Sequence, residues 1–206
     1  MTREVSIDDA GGVQTPKDIF KMTPDDYYMN FAYVSEKWLF EYMTEHYANS
    51  DNTEWLEQIE DELKHTKMCQ GALRKQGVDY YDDTKYSIEA AIYGDLGNFY
   101  PTNDEEFSAL SWIVEKRALF LYRYYMRNGN NDLYRKITQG IIDDEMKHVG
   151  FHNEEITPSH KRIREIDKAI FTAFNETYGR KGMFGQQFWE DLFTGKIKDK
   201  VDVKLP

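Results

Sequence analysis

The chain is short of several residue types, and each shortage sets a limit. It has one cysteine, Cys69, which excludes an internal disulfide and any thiolate-rich zinc or iron–sulfur centre. It has five prolines (Pro16, Pro24, Pro101, Pro158 and Pro206), and all fall outside the strongly periodic segments, where they punctuate elements and do not interrupt them. No apolar run approaches the roughly 18 residues of a membrane span, and the first residues lack the apolar stretch of a signal peptide. A soluble, cytoplasmic protein with no membrane partner is expected. Basic residues are also outnumbered, with 26 Lys and Arg against 37 Asp and Glu and a net charge of −11. No Lys/Arg block exceeds two residues, so electrostatics argue against a dedicated nucleic-acid binder or an anionic membrane surface as partner. What is present suffices for a core: 206 residues, 40% hydrophobic and 15% aromatic, are the makings of one domain spanning 1–206.

Residues 1–20 read as a polar tail. Thr23-Pro24-Asp25-Asp26 then starts a helix, with a capping Thr, a first-turn Pro and two acids that suit the positive end of the helix dipole. This helix runs to about Tyr47. A turn at 49–53 leads to a second helix that stops at Gly77. The turn is short, so these two helices are antiparallel neighbours. The connection over 78–104 carries a shorter helix near 84–94. A third helix runs from Asp104 to Arg127, and a fourth from Asp132 to about Glu155. Helical stretches over 159–178 and 184–193 follow Pro158. Nothing alternates like a strand. Two helical hairpins joined by a long crossover predict an all-α, ferritin-like four-helix bundle with added C-terminal helices.

The second and fourth helices share a motif. Asp61-Glu62-Leu63-Lys64-His65 and Asp144-Glu145-Met146-Lys147-His148 both read D-E-x-K-H with an apolar x. On a helix, residues i and i+3 lie about 60° apart in azimuth and about 4.5 Å apart along the axis, so each Glu and His project from one face. Each pair offers a carboxylate and an imidazole to a metal ion against that face. Further acids stand in the apolar stripes of the other two helices. Glu36 lies in line with Ala32, Tyr33, Leu39, Phe40 and Met43, and Glu115 with Trp112, Ala118, Leu119 and Tyr122. Glu41, by contrast, shares a polar face with Lys37, Thr44 and Glu45. Four carboxylates buried together repel one another and lose their hydration. Two divalent cations balance them, so Glu36, Glu62, His65, Glu115, Glu145 and His148 make sense as a dinuclear site. Four Glu with two His and no thiolate suit iron or manganese.

At these residues the chain resembles the ferritin-like di-iron carboxylate superfamily, in which one Glu from each of two helices joins an E-x-x-H pair from each of the other two. The resemblance covers 24–155 and implies a di-iron core there; the helical stretches over 158–195 read as caps on that core. It implies that Glu36 and Glu115 are terminal ligands, that Glu62 and Glu145 bridge, and that His65 and His148 each cap one ion. The cofactor it implies is two Fe ions, with Mn/Fe as the variant. Arg135-Lys136-Ile137-Thr138-Gln139-Gly140, followed by Glu145, His148 and Phe151, is similar to aldehyde-deformylating oxygenase. Leu73-Arg74-Lys75-Gln76-Gly77-Val78-Asp79-Tyr80, Glu36-Lys37 and Glu115-x-Arg117 look like the di-iron hydroxylase of a modified tRNA adenosine. Neither likeness carries over a substrate, so tRNA stays open despite the acidic charge.

Around the six ligands, Asp61 and Asp144 each precede a histidine by four residues and are candidates to accept a hydrogen bond from a ligating imidazole. His152, one turn past His148, is read as a seventh ligand or proton relay, or as a plain packed histidine. Arg117 is a candidate partner for an acid near the site. Tyr33 and Tyr122 lie near ligands and could relay electrons, but fifteen tyrosines in one chain favour packing. Cys69 reads as a small core residue. The aromatic run from Phe171 to Phe193 reads as a cap on the bundle, or as the wall of an apolar channel.

The function expected is a di-iron oxygenase or hydroxylase that uses O2 on a small, apolar organic substrate. With no rubredoxin-like cysteine cluster or nucleotide-binding glycine loop, its electrons come from an external reductant such as a ferredoxin. The alternative is iron oxidation or peroxide scavenging in the manner of ferritins and rubrerythrins. The long crossover and extra C-terminal segments favour a monomer or small oligomer over a storage cage.

Overall fold

The computed structural model describes residues 22–82 and 103–151, with positions 161, 190, 193 and 194. Four helices make up the described part, with no strand: α1 (Pro24–Tyr47), α2 (Thr53–Lys75), α3 (Asp104–Asn128) and α4 (Asp132–Phe151). The expected tail over 1–20, the helix near 84–94, the end of the fourth helix past Phe151 and, apart from Lys161, Glu190 and Phe193, the stretches over 159–178 and 184–193 lie outside the described residues. So does His152.

The helix ends follow from local chemistry. Thr23 Oγ1 accepts from Asp26 N at 3.1 Å ahead of Pro24, which needs no N–H partner in the first turn. Asn52 caps α2 through Glu54 N, and Asn103 caps α3 through Glu106 N. At the end of α2, Gly77 takes φ 68°. Its N–H reaches Arg74 O, and the N–H of Val78 reaches Leu73 O, which closes the last turn. Side chains other than glycine resist that left-handed backbone. Asn131 then caps α4 through the N–H groups of Leu133 and Tyr134.

α1 packs on α2, α3 packs on α4, and α2 meets α4 across the bundle. A Cβ on Gly140 would come within 3.3 Å of Met68 Cε, so the small residue lets α4 approach α2 closely. Between α1 and α3 the spacers are large rings. Tyr28 stacks on Tyr125 and meets Tyr122 edge-on. The acids of the first α1 turn tie it to the far hairpin. Asp25 Oδ1 accepts from Tyr125 Oη at 2.5 Å and from Asn130 N at 2.8 Å, and Asp26 Oδ1 accepts from Tyr134 Oη at 2.8 Å. The other end holds a separate apolar cluster of Leu39, Met43, Trp55 and Phe107. Burying each such side chain stabilises the fold by roughly 1.5–3 kcal/mol. Phe193 sets its ring 5.8 Å from that of Tyr125, so at this one position the aromatic C-terminal run does pack on the bundle.

Candidate metal centre

The stripe that α2 turns inward is Trp55, Gln58, Glu62, His65, Cys69 and Ala72, at spacings of three and four. The polar members of this stripe meet their counterparts from the other helices at mid-bundle. Glu36, Glu62, His65, Glu115, Glu145 and His148 are all between 0 and 8% exposed. Two groups of atoms close enough to hold a metal ion form among them. One is Glu36, Glu62, His65 and Glu145; the other is Glu115, Glu145 and His148. All six expected ligands are therefore brought together, one carboxylate from each helix and one histidine from each of α2 and α4.

The carboxylates divide into two kinds. Glu145 Oε1 lies 3.3 Å from His65 Nδ1, and Glu145 Oε2 lies 3.3 Å from His148 Nδ1. Glu62 repeats this at longer range, with Oε2 at 3.8 Å from His65 Nδ1 and Oε1 at 3.9 Å from His148 Nδ1. Each of these acids turns one oxygen toward each histidine. Glu36 faces His65, at 3.2 Å, and Glu115 faces His148, at 3.9 Å. Two central acids and two peripheral ones is the pattern a pair of ions would use.

Electrostatics show what the cluster lacks without cations. Burial, reinforced by the Glu145 and Glu36 charges, pushes the Glu62 carboxyl well above the usual range. Burial with the Glu145 and Glu62 charges does the same to Glu115. Glu145 is also pushed up by burial, but the imidazoles of His148 and His65 outweigh this and hold it down at about 2. Burial opposes the charged form of both histidines, yet the surrounding carboxylates, Glu145 foremost, raise both. Without cations, charge balance in the cluster would have to come from protons. Glu62 exposes the shortfall: both its oxygens are buried and neither has a hydrogen-bond partner. A buried carboxylate with only the imidazoles at 3.8 and 3.9 Å recovers little of the hydration it loses, whereas two cations would take one oxygen each. The donor set, four carboxylates and two imidazoles, suits iron or manganese. These buried groups could hold a metal ion.

The outer contacts differ from the sequence expectation in one respect. Asp61 and Asp144 do meet histidine Nε2 atoms, but across the α2–α4 contact: Asp144 Oδ2 is 3.3 Å from His65 Nε2, and Asp61 Oδ2 is 3.3 Å from His148 Nε2. Lys64 ties the two acids together, 3.2 Å from Asp61 Oδ1 and bonded to Asp144 Oδ2, and Lys147 reaches Asp144 Oδ1 at 2.7 Å. Asp61, His65 and Asp144 form a third group close enough for a cation. The Lys64 ammonium already sits on both of those acids, so this group serves as a frame for the histidines.

Two further neighbours bond to the candidate ligands. Gln58 Nε2 donates to Glu115 Oε1 at 2.5 Å, and Tyr122 Oη donates to Glu36 Oε1. Gln58 stands one turn before Glu62 in the inward stripe, a polar residue where an apolar one packs more easily, and that was its signal. Tyr122 packs in the core as expected, and its hydroxyl is in addition committed to a candidate ligand. Tyr33 instead donates to Asp82 and accepts from Gln70 Nε2, clear of the cluster. Arg117 is half-buried on α3, two residues and so about 200° past Glu115. Cys69 is a buried core residue. No described helix is long and apolar enough to cross a membrane. Comparison of the chain with protein-family models, with curated proteins and with solved structures gives no match.

Proposed function

We propose that the chain is a non-haem di-iron oxygenase or hydroxylase of the ferritin-like kind, acting on a small apolar organic substrate with an external electron donor such as a ferredoxin. The observation that carries this reading is Glu62, whose two buried oxygens lack hydrogen-bond partners and turn one each toward His65 and His148. In this reading Glu36 and His65 would hold one ion, Glu115 and His148 the other, and Glu62 and Glu145, which face both histidines, would serve both. Bound there, two ferrous ions would supply electrons to dioxygen and a Lewis-acid hold on it. The residues' own work is positional. Asp144 and Asp61 fix the tautomer of His65 and His148 so that Nδ1 faces inward. Tyr122 and Gln58 hold one oxygen each of Glu36 and Glu115. The surrounding apolar shell keeps bulk water from the reacting atoms.

Anaerobic reconstitution followed by metal analysis tests the reading directly. About two iron or manganese ions per chain are expected, since that number neutralises four carboxylates. Less than half an equivalent would sink it. The alternative, iron oxidation for storage, predicts a large closed particle and continued iron uptake in air. The oxygenase reading predicts a monomer or small oligomer that takes up no mineral core and consumes O2 over many cycles once given a reductant and an apolar substrate. Light scattering and an iron-uptake assay separate the two.

A further inference from the structure

Three tyrosines run in contact from the buried cluster to the end of the bundle where α1 begins. Tyr122 donates its hydroxyl proton to Glu36 Oε1. Its ring meets that of Tyr28 edge-on, with centroids 6.3 Å apart and planes at 89°. Tyr28 stacks flat on Tyr125, with centroids 3.7 Å apart and planes within 4°. Tyr125 donates to Asp25 Oδ1 at 2.5 Å. All three rings are nearly inaccessible, at 0 to 2% exposure.

Packing accounts for buried rings. Beyond packing, the two ends of the run donate to carboxylates 11 residues apart on α1, Glu36 in the buried cluster and Asp25 in the first turn. That pairing is what one-electron oxidation of a buried phenol requires. The proton must leave with the electron, or a positive charge is stranded in an apolar interior.

We propose that Tyr122, Tyr28 and Tyr125 form a relay that carries an oxidising equivalent from the cluster to the Asp25 end of the bundle. The proposal rests on the di-iron reading, with dioxygen as the oxidant. Tyr122 gives one electron to the oxidant and its phenolic proton to Glu36. An electron then passes from Tyr125 through the Tyr28 ring to Tyr122, which takes its proton back from Glu36, while the Tyr125 proton passes to Asp25. The net change is one electron delivered to the oxidant, a neutral radical on Tyr125 and a protonated Asp25. One electron from an external reductant, with the proton returned by Asp25, restores the start. Such a route discharges oxidising power that forms without substrate before it damages the ligands.

Two arms test the relay on the full chain. In the first, the metal-free protein carries a ruthenium photo-oxidant on a cysteine placed by Asn130→Cys. Asn130 is exposed beside Asp25, and Cys69 is buried and so protected from the label. After a flash with an electron acceptor, a trapped tyrosyl EPR signal that narrows on ring deuteration is expected, with a component lost in Tyr122→Phe. In the second, iron-loaded protein meets dioxygen without substrate, and a radical on Tyr125 is expected that disappears in both Tyr125→Phe and Tyr122→Phe. Circular dichroism checks that each Phe variant keeps its helices. Signals unchanged by Tyr122→Phe in the flash arm overturn the relay. A flash signal reaching Tyr122 in a protein that binds no iron supports the relay's conduction and overturns the di-iron reading. Iron that binds and oxidises with no tyrosyl signal in either arm overturns the relay alone.

Discussion

Asp61 on α2 holds the imidazole of His148 on α4, with Oδ2 3.3 Å from Nε2, while its counterpart Asp144 holds His65 in the reverse direction at the same distance. Each copy of the repeated motif therefore orients the histidine of the other copy. The two helices are coupled through these acid–histidine contacts as well as through their packing, and Lys64 bridges both acids.

This crossing predicts which pairs of variants interact. Asp61→Asn should weaken metal binding roughly 10- to 100-fold, the range seen when an imidazole's outer partner is lost. In a double-mutant cycle Asp61→Asn should couple more strongly with His148→Ala than with His65→Ala, which it reaches only through Lys64 and Asp144. Calorimetric metal titration of the single and double variants checks this; stronger coupling within a helix than across would contradict the crossed arrangement.

Glu62 and Glu145 each turn an oxygen toward both histidines, whereas Glu36 and Glu115 each face one. Alanine at Glu62 or Glu145 should therefore empty the site more completely than alanine at Glu36 or Glu115. Metal content after identical reconstitution decides the matter, and equal loss in all four variants would remove the bridging assignment.

The metal-free protein should become more stable as the pH falls from 7 to 5. Glu62 and Glu115 have folded pKa values well above their ordinary 4.5, and both histidines are raised above 6.5. For groups raised on folding, the native state binds protons that the unfolded chain does not, so stability grows as pH drops toward the unfolded values. Glu145 and Asp144 are depressed, and their contribution is lost only as the pH falls below about 4.5 toward their folded values. A thermal-unfolding series on metal-free protein should peak near pH 5, and a melting temperature that falls steadily from pH 7 to 5 would contradict this.

Asp25 accepts from Tyr125 Oη and from the N–H groups of Asn130 and Asn131 through one oxygen. Asp25→Ala should cost about 1–3 kcal/mol, since it leaves a largely buried phenol and turn amides without their acceptor. Urea unfolding measures the loss, and metal stoichiometry should be unchanged because the site lies several turns away along α1. A variant as stable as the parent would show that this clamp contributes nothing.

The sequence by itself determined whatever lies within one helix or at its ends. Thr23-Pro24, Asn52, Asn103 and Gly77 mark boundaries through capping bonds and one positive φ, all local effects. The Glu62–His65 and Glu145–His148 faces follow from 3.6 residues per turn. The same period shows Glu36 and Glu115 interrupting apolar stripes, where an acid stays only with compensation. Tertiary structure alone decided what meets across helices. Asp61 pairs with His148 and not with His65, Gln58 reaches Glu115, and Tyr122 reaches Glu36, because those meetings depend on axial register and interaxial distance. These quantities are set by packing: Gly140 against Met68 brings α2 and α4 close, and the Tyr28–Tyr125 stack spaces α1 from α3. Helical periodicity is a property of the backbone and can be read along one strand of text. Register between helices is a property of many side chains filling one volume, and it exists only once the chain has folded.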